Sequence, residues 1–188
     1  RYNMKHLYLV RHGETLFNKR RKIQGWCDSP LTPLGIQQAK EVKEKLEKLN
    51  IQFDGFYCST SERASDTLEI IIGENQPYIR LKGLKEINHG IFEGESEDLH
   101  PYRDGKRVKD EVYPVYYNGE SSTQLKKRVY KTIQNIMEKD IKVVLAVSHG
   151  GACWAFASSV TDFKDKIDNC DVLHFTYDHH QFTYLGKI

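Results

Sequence analysis

At 188 residues the chain is long enough to bury one hydrophobic core and short for two. Charged residues make up 29% and apolar ones 39%, a balance that excludes global disorder. The net charge of +2 comes from Lys and Arg interspersed with Asp and Glu, so no basic stripe for nucleic acid exists and small phosphorylated anions remain as partners.

Residues 1–3 precede Met4, the expected native start, and are given no role. The segment from His6 to Thr15 begins as Leu7-Tyr8-Leu9-Val10 and breaks into Arg11-His12-Gly13-Glu14-Thr15. An apolar run this short, bounded by polar residues and Gly, predicts a buried strand of a parallel sheet. Ligands in open α/β sheets sit beyond the carboxyl ends of the strands, which places Arg11 and His12 at a candidate site. Leu16 to Lys22 is polar and basic, and Gln24 to Pro30 reads as a loop by its Gly, Asp-Ser and Pro content.

Thr32-Pro33 starts a helix, with Thr as N-cap and Pro at the first helical position, and Ala39, Val42, Leu46 and Leu49 recur along one face. Phe53 to Tyr57 predicts a second strand ending at Cys58-Ser59, and Ser59 to Glu62 offers caps for a helix that carries Ala64, Leu68, Ile71 and Ile72 inward. Arg63 falls in its first turn, where free backbone N–H groups and a positive helix end favour anions. The competing reading of Arg63 is a surface arginine paired with Glu62 or Asp66.

Tyr78 to Leu81 is a further strand candidate, and Leu84 to Gly94 sets Glu86 and Glu93 among small and apolar residues, where either could simply be solvated. Residues 95–120 lack clean periodicity and carry many charges and tyrosines, which predicts an excursion over the sheet. Its Arg103, Lys106, Arg107 and Lys109, among Tyr102, Tyr113, Tyr116 and Tyr117, have two readings: contacts to a second anionic group or ring of a substrate, or a solvated loop.

Ser121 and Ser122 can cap a helix bearing Leu125, Val129, Ile133, Ile136 and Met137 on its inner face. Val143 to Val147 repeats the opening pattern and runs into Ser148-His149-Gly150-Gly151, with a helix expected from Ala152 to Val160. Val172 to Tyr177 and Gln181 to Lys187 predict two strands around a turn with exposed His179 and His180. If the two histidine-bearing strands are parallel members of one sheet, His12 and His149 face each other across one crevice.

The isolated cysteines, Cys27, Cys58, Cys153 and Cys170, show neither a C-x-x-C pair nor zinc-site spacing, which suits a reducing compartment. No stretch predicts a membrane span and the start lacks a signal-peptide pattern, so a cytoplasmic protein is expected, with no membrane partner.

Two histidines, two arginines and at least one carboxylate at strand ends suit a phosphoryl group. Guanidiniums hold a tetrahedral dianion through bidentate hydrogen bonds, and Gly13, Gly150 and Gly151 let backbone come close. A neutral imidazole can attack phosphorus, while fixed cations stabilise the spread charge of the transition state without a metal. A carboxyl group must then protonate the leaving oxygen, and a neighbouring phosphate favours its protonated form.

The chain resembles the histidine phosphatase superfamily, the group containing cofactor-dependent phosphoglycerate mutases, broad-specificity acid phosphatases and related small phosphatases. The blocks that carry the resemblance run in the family's order: Arg11 to Thr15 with Asn18; Gln24-Gly25; Asp28 to Thr32; Ser59, Arg63-Ala64 and Thr67; Leu84, Glu86, Gly90 and Glu93-Gly94; and Ser148 to Gly151. It implies one domain over residues 1–188, a phosphoglycerate mutase-like three-layer α/β/α sandwich with a mostly parallel central sheet, and a short cap insertion at about 95–120. It implies that His12 becomes phosphohistidine, that Arg11, Arg63 and His149 complete the phosphate pocket, and that Glu86 is the acid and base. Asn18 corresponds to a side-chain donor to the same phosphate, with Gln24 and Gly25 on the substrate side.

Glu93 lies in the family's Trp-Glu-Gly turn, here Phe92-Glu93-Gly94, which lacks the indole N–H; Ala152-Cys153-Trp154 stands where many relatives carry arginine. Mutases of the family are usually longer, so the expectation is a metal- and cofactor-independent phosphomonoesterase acting on small phosphorylated metabolites. The alternatives are phosphoglycerate mutase-type transfer and, with less support, a noncatalytic phospholigand-binding protein. A monomer and a homodimer are both open.

Overall fold

The computed structural model describes residues 4–100, 102–103, 106–107 and 118–188, and the side chains of all of these except residues 102, 103, 106 and 107. The first strand, β1 (Lys5–Arg11), is followed by a single helical turn, α1 (Leu16–Lys19), then α2 (Pro33–Lys48), β2 (Gly55–Ser59), α3 (Glu62–Ile72) and β3 (Ile79–Leu81). A ribbon of β4 (Tyr102–Arg103) and β5 (Lys106–Arg107) precedes α4 (Ser122–Met137), β6 (Val143–Ser148), α5 (Gly150–Val160), β7 (Val172–Asp178) and β8 (Gln181–Lys187).

Six strands form one sheet in the order β3-β2-β6-β1-β7-β8. β1, β2, β3 and β6 pair in parallel, whereas β7 runs antiparallel to both β1 and β8. The sheet is therefore mostly parallel, with one reversed strand. Alternation along β1 divides the core. Leu7 and Leu9 pack with Val129, Ile133 and Ile136 of α4 and Phe156 of α5, while Tyr8 and Val10 pack with Val42 of α2 and Leu68 of α3. Helices on both faces explain why the run Leu7 to Val10 is apolar throughout. The result is the expected three-layer sandwich.

The element boundaries differ from the sequence expectation in places with physical reasons. Residues 16–19 form a helical turn because Thr15 and Asn18 make a reciprocal capping box. The second strand starts at Gly55, because the Asp54 carboxylate accepts the backbone N–H groups of Lys142 and Val143 and so ends the ladder. α5 starts two residues early, at Gly150. In the β7–β8 turn, His179 and His180 both adopt positive φ, 50° and 62°, as a two-residue hairpin turn requires. Of the 95–120 excursion, Glu97–Leu99 forms a 3₁₀ turn and β4 pairs with β5; the side chains of its basic and tyrosine residues from 102 to 117 lie outside the described residues. Among the described residues no helix is long and apolar enough to cross a membrane.

Candidate active site

β2, β6 and β1 are consecutive in the sheet and parallel, so their carboxyl ends open onto one edge. Arg11 pairs in register with Ser148, which brings the residues that follow, His12 and His149, to adjacent strand ends. Their rings lie 5.2 Å apart, edge to face. Both are buried.

The hydrogen bonds of His12 define its tautomer. Its Nδ1–H donates to the Gly13 carbonyl at 2.7 Å, and the Nε–H of Arg63 donates to Nε2 at 3.3 Å. Nε2 therefore carries the lone pair. Burial pushes the imidazole well below its ordinary range, with Arg63 and Arg11 adding to the effect, so the ring is neutral. A neutral, unprotonated Nε2 in a cationic surrounding is the state a nucleophile needs. Cys27 is no competitor, because burial and the neighbouring Glu93 push its thiol up to about 11.

His149 sits at the N-cap of α5, its Nε2 2.7 Å from the Ser59 hydroxyl. Burial holds it, too, well below the usual imidazole range, with Arg63 and His12 contributing. Among the described residues its Nδ1 has no partner, and the same is true of the Nε–H of Arg11, whose NH1 donates to the Ile167 carbonyl at 2.7 Å. Buried nitrogens without partners are costly unless a ligand meets them. A Cβ on Gly150 would stand 3.1 Å from Arg11 Nε, so glycine keeps this nitrogen uncovered.

Arg63 is fully buried in the first turn of α3, and its partner is neither Glu62 nor Asp66. NH1 donates to Asp28 Oδ1 and to the Cys27 carbonyl, both at 2.8 Å, and NH2 donates to the Gly25 carbonyl at 2.7 Å. The guanidinium thus fixes the 25–28 loop as well as His12. Its remaining NH2 hydrogen is the one it can offer an anion.

Glu86 is buried, its Oε2 accepting the Gly151 N–H at 2.7 Å and its Oε1 the Ile87 N–H at 2.9 Å. A Cβ on Gly151 would meet Oε1 at 2.5 Å, so the start of α5 and the carboxylate fit only with glycine there. Arg11, Asn18, Gln24, Glu86 and Gly151 line one cleft of about 290 Å³, together with Lys22, His89 and His100, whereas the buried His12, Arg63 and His149 are not among its lining residues. This volume suits a small ligand.

Asn18 lines the cleft, and its Oδ1 accepts the N–H of Thr15 and the amide of Asn169. Gln24 bridges the Thr15 and Ser29 hydroxyls. Gly25 is not among the cleft-lining residues; its carbonyl holds Arg63, and a Cβ there would stand 2.0 Å from the Ile87 carbonyl oxygen.

Five residues with structural parts in the site went unassigned in the sequence. Asp28 pairs with Arg63, Ser59 orients His149, and Thr67 accepts the Gly13 N–H at 3.1 Å. Asn169 donates to the His12 carbonyl at 3.1 Å, and Trp26 donates its indole N–H to the Glu86 carbonyl at 3.0 Å. Ser59 and Thr67 fall in family-like blocks, whereas a loop such as the one holding Asn169 carries no periodic signal. Glu93 is not solvated: its carboxylate accepts the backbone N–H groups of Gly25, Trp26, Cys27 and His89 at 2.7 to 2.9 Å. It clamps the loop that Arg63 also holds.

Comparison with known proteins places these features in context. The family model of the histidine phosphatase superfamily (branch 1) matches residues 7–187. The probable phosphoglycerate mutase GpmB of Salmonella arizonae is 32% identical over 200 residues, covering 98% of this chain and 91% of that one. Among solved structures, phosphoglycerate mutase from Bacillus anthracis superposes with a TM-score of 0.84 at 25% identity, over 98% of this chain and 93% of that one. Phosphoserine phosphatase from Entamoeba histolytica, in complex with 3-phosphoglyceric acid, gives a TM-score of 0.77 at 28% identity, over 97% and 95%.

Proposed function

The chain belongs to the histidine phosphatase superfamily, whose members are mutases and phosphatases, and we propose that it is a single-domain phosphomonoesterase acting on small phosphorylated metabolites through a phosphohistidine at His12. The observation that carries this reading is the unprotonated Nε2 of His12, together with two buried nitrogens that have no partner among the described residues, Arg11 Nε and His149 Nδ1.

In this reading the phosphoryl group is bound by Arg11, His149 and the spare N–H of Arg63, with the Asn18 amide, which lines the cleft together with Arg11, as a further donor. Nε2 forms a bond to phosphorus as the ester P–O bond breaks, and the electron pair of that bond leaves with the ester oxygen. Protonated Glu86 donates its proton to this oxygen, giving the free alcohol. Water then attacks the phosphohistidine and gives a proton to the Glu86 carboxylate; the P–N bond breaks, the pair returns to Nε2, and inorganic phosphate is released. The Arg11 and Arg63 charges steady the equatorial oxygens in both steps, so the scheme needs no metal.

Transfer of the phosphoryl group to a second phosphorylated substrate is the other reading, favoured by the phosphoglycerate mutase names of two of the relatives. A panel of phosphomonoesters that includes phosphoglycerates, assayed in excess chelator, separates them. Release of inorganic phosphate supports hydrolysis; isomer formation without release supports transfer; and activity that needs added metal contradicts both.

A further inference from the structure

We propose that Arg128 of α4, held by Glu120, is a positioning residue that sets the height of the Glu86 carboxyl group over the phosphate; this rests on Glu86 as the acid, as argued above. Arg128 Nε donates to Glu120 Oε2 and NH2 to Oε1, each at 2.7 Å, a bidentate pair between two mostly buried side chains. Its other three N–H bonds all go to the loop that leads into Glu86. NH1 donates to the carbonyls of Gly83 at 3.0 Å and Lys85 at 2.8 Å, and NH2 donates to the carbonyl of Glu86 itself at 3.1 Å.

A guanidinium has five N–H donors, and here all five are committed. Arg128 therefore has no hydrogen left for substrate, unlike Arg11, whose Nε has no partner among the described residues. Its effect on chemistry runs through the backbone of residues 83–86. That backbone lies directly on α4, since a Cβ on Gly83 would stand 1.9 Å from the Thr132 hydroxyl. On the other side the Trp26 indole N–H meets the same Glu86 carbonyl.

Glu120 adds a link to the far end of the 95–120 excursion. Its N–H donates to the Asn88 carbonyl at 2.7 Å and its Oε1 accepts the Asn88 N–H at 3.2 Å. The Glu86 carboxyl group is thus aimed by a backbone gripped just before it by Arg128 and just after it by Glu120. Misplacing a catalytic acid slows proton transfer to the leaving group and leaves phosphate binding alone.

The test compares full-length wild type, Arg128→Lys, Glu120→Gln and Trp26→Phe on nitrophenyl phosphate, whose leaving group needs no proton, and on an alkyl phosphate such as glycerol phosphate, whose leaving group does. For the alkyl ester kcat/KM, which reports the steps up to the phosphoenzyme and not the water step that Glu86 also serves, should fall by about 10-fold or more, a part of the roughly 10²–10⁴ that a positioned acid supplies. For nitrophenyl phosphate kcat/KM should stay near wild type, as should inhibition by vanadate. An equal loss on both esters, or no loss on either, overturns the proposal. Glu86→Gln serves as reference: if it too lacks the leaving-group dependence, the acid assignment fails, whereas if it alone shows the dependence, only the positioning role fails. Should Arg128→Lys not fold, Glu120→Gln, which keeps the side-chain shape and removes the charge that holds Arg128, decides by the same criterion.

Discussion

The Nε–H of Arg63 donates to Nε2 of His12 across 3.3 Å, while the other end of the same guanidinium holds Asp28 and the carbonyls of Gly25 and Cys27. One buried cation thereby joins the nitrogen proposed to attack phosphorus to the 25–28 loop. Stability and chemistry are coupled through it.

Replacing Arg63 with Ala leaves four acceptors around a buried hole and removes a charge from the pocket. Loss of one partner of a buried pair costs about 3–5 kcal/mol, and the partial exposure of Asp28 puts the expected value near the lower end. Chemical denaturation measures this, and vanadate inhibition measures the pocket. Denaturation and inhibition both unchanged would remove Arg63 from each role.

His12 and His149 are held below the ordinary imidazole range by burial first and neighbouring cations second. In the unfolded chain both take up protons near pH 6.5. Below that pH the unfolded state binds more protons than the folded one, so stability is fully present above about 6.5 and declines as the pH falls. Imidazole ¹⁵N shifts of the ligand-free protein at pH 6.5 should report both rings neutral. A protonated His12 at that pH contradicts the account.

Glu93 responds to acid at lower pH. Burial raises its pKa, but the backbone N–H bonds from Cys27, His89 and Trp26 outweigh burial and hold the carboxyl below its usual range. Its contribution is present above the unfolded value of about 4.3 and is lost as pH falls through the folded value. Glu93→Ala strands four N–H groups and should cost about 2–3 kcal/mol at neutral pH, with a shallower loss of stability on acidification than wild type. An unchanged denaturation midpoint would show that the clamp is dispensable.

The sandwich was legible because its signals are local: Leu7 to Val10 and Val143 to Val147 are buried runs, and Val129, Ile133 and Ile136 keep helical period on the inner face of α4. Arg11, His12 and His149 were legible for the same reason, each standing where a strand pattern breaks. Arg128 was not, since on a helix surface it looks like any solvated arginine, and its five bonds depend on where residues 83–86 and Glu120 come to lie. Glu93 and Asp28 were hidden likewise, because a carboxylate that accepts backbone N–H groups from a distant loop leaves no mark on its own neighbours in sequence. Asn18 and Gln24 show the converse: their positions were readable, while their bonds to Thr15, Ser29 and Asn169 required the folded loops.

Covalent capture tests the central claim most directly. With Nδ1 of His12 committed to the Gly13 carbonyl, phosphorus has only Nε2 to join. Rapid quenching during turnover, followed by peptide mass spectrometry and ³¹P NMR in alkali, should find an acid-labile phosphoryl group on His12 at Nε2, absent from His12→Ala. Turnover with no phosphoenzyme, or a label on another residue or on Nδ1, would contradict the account.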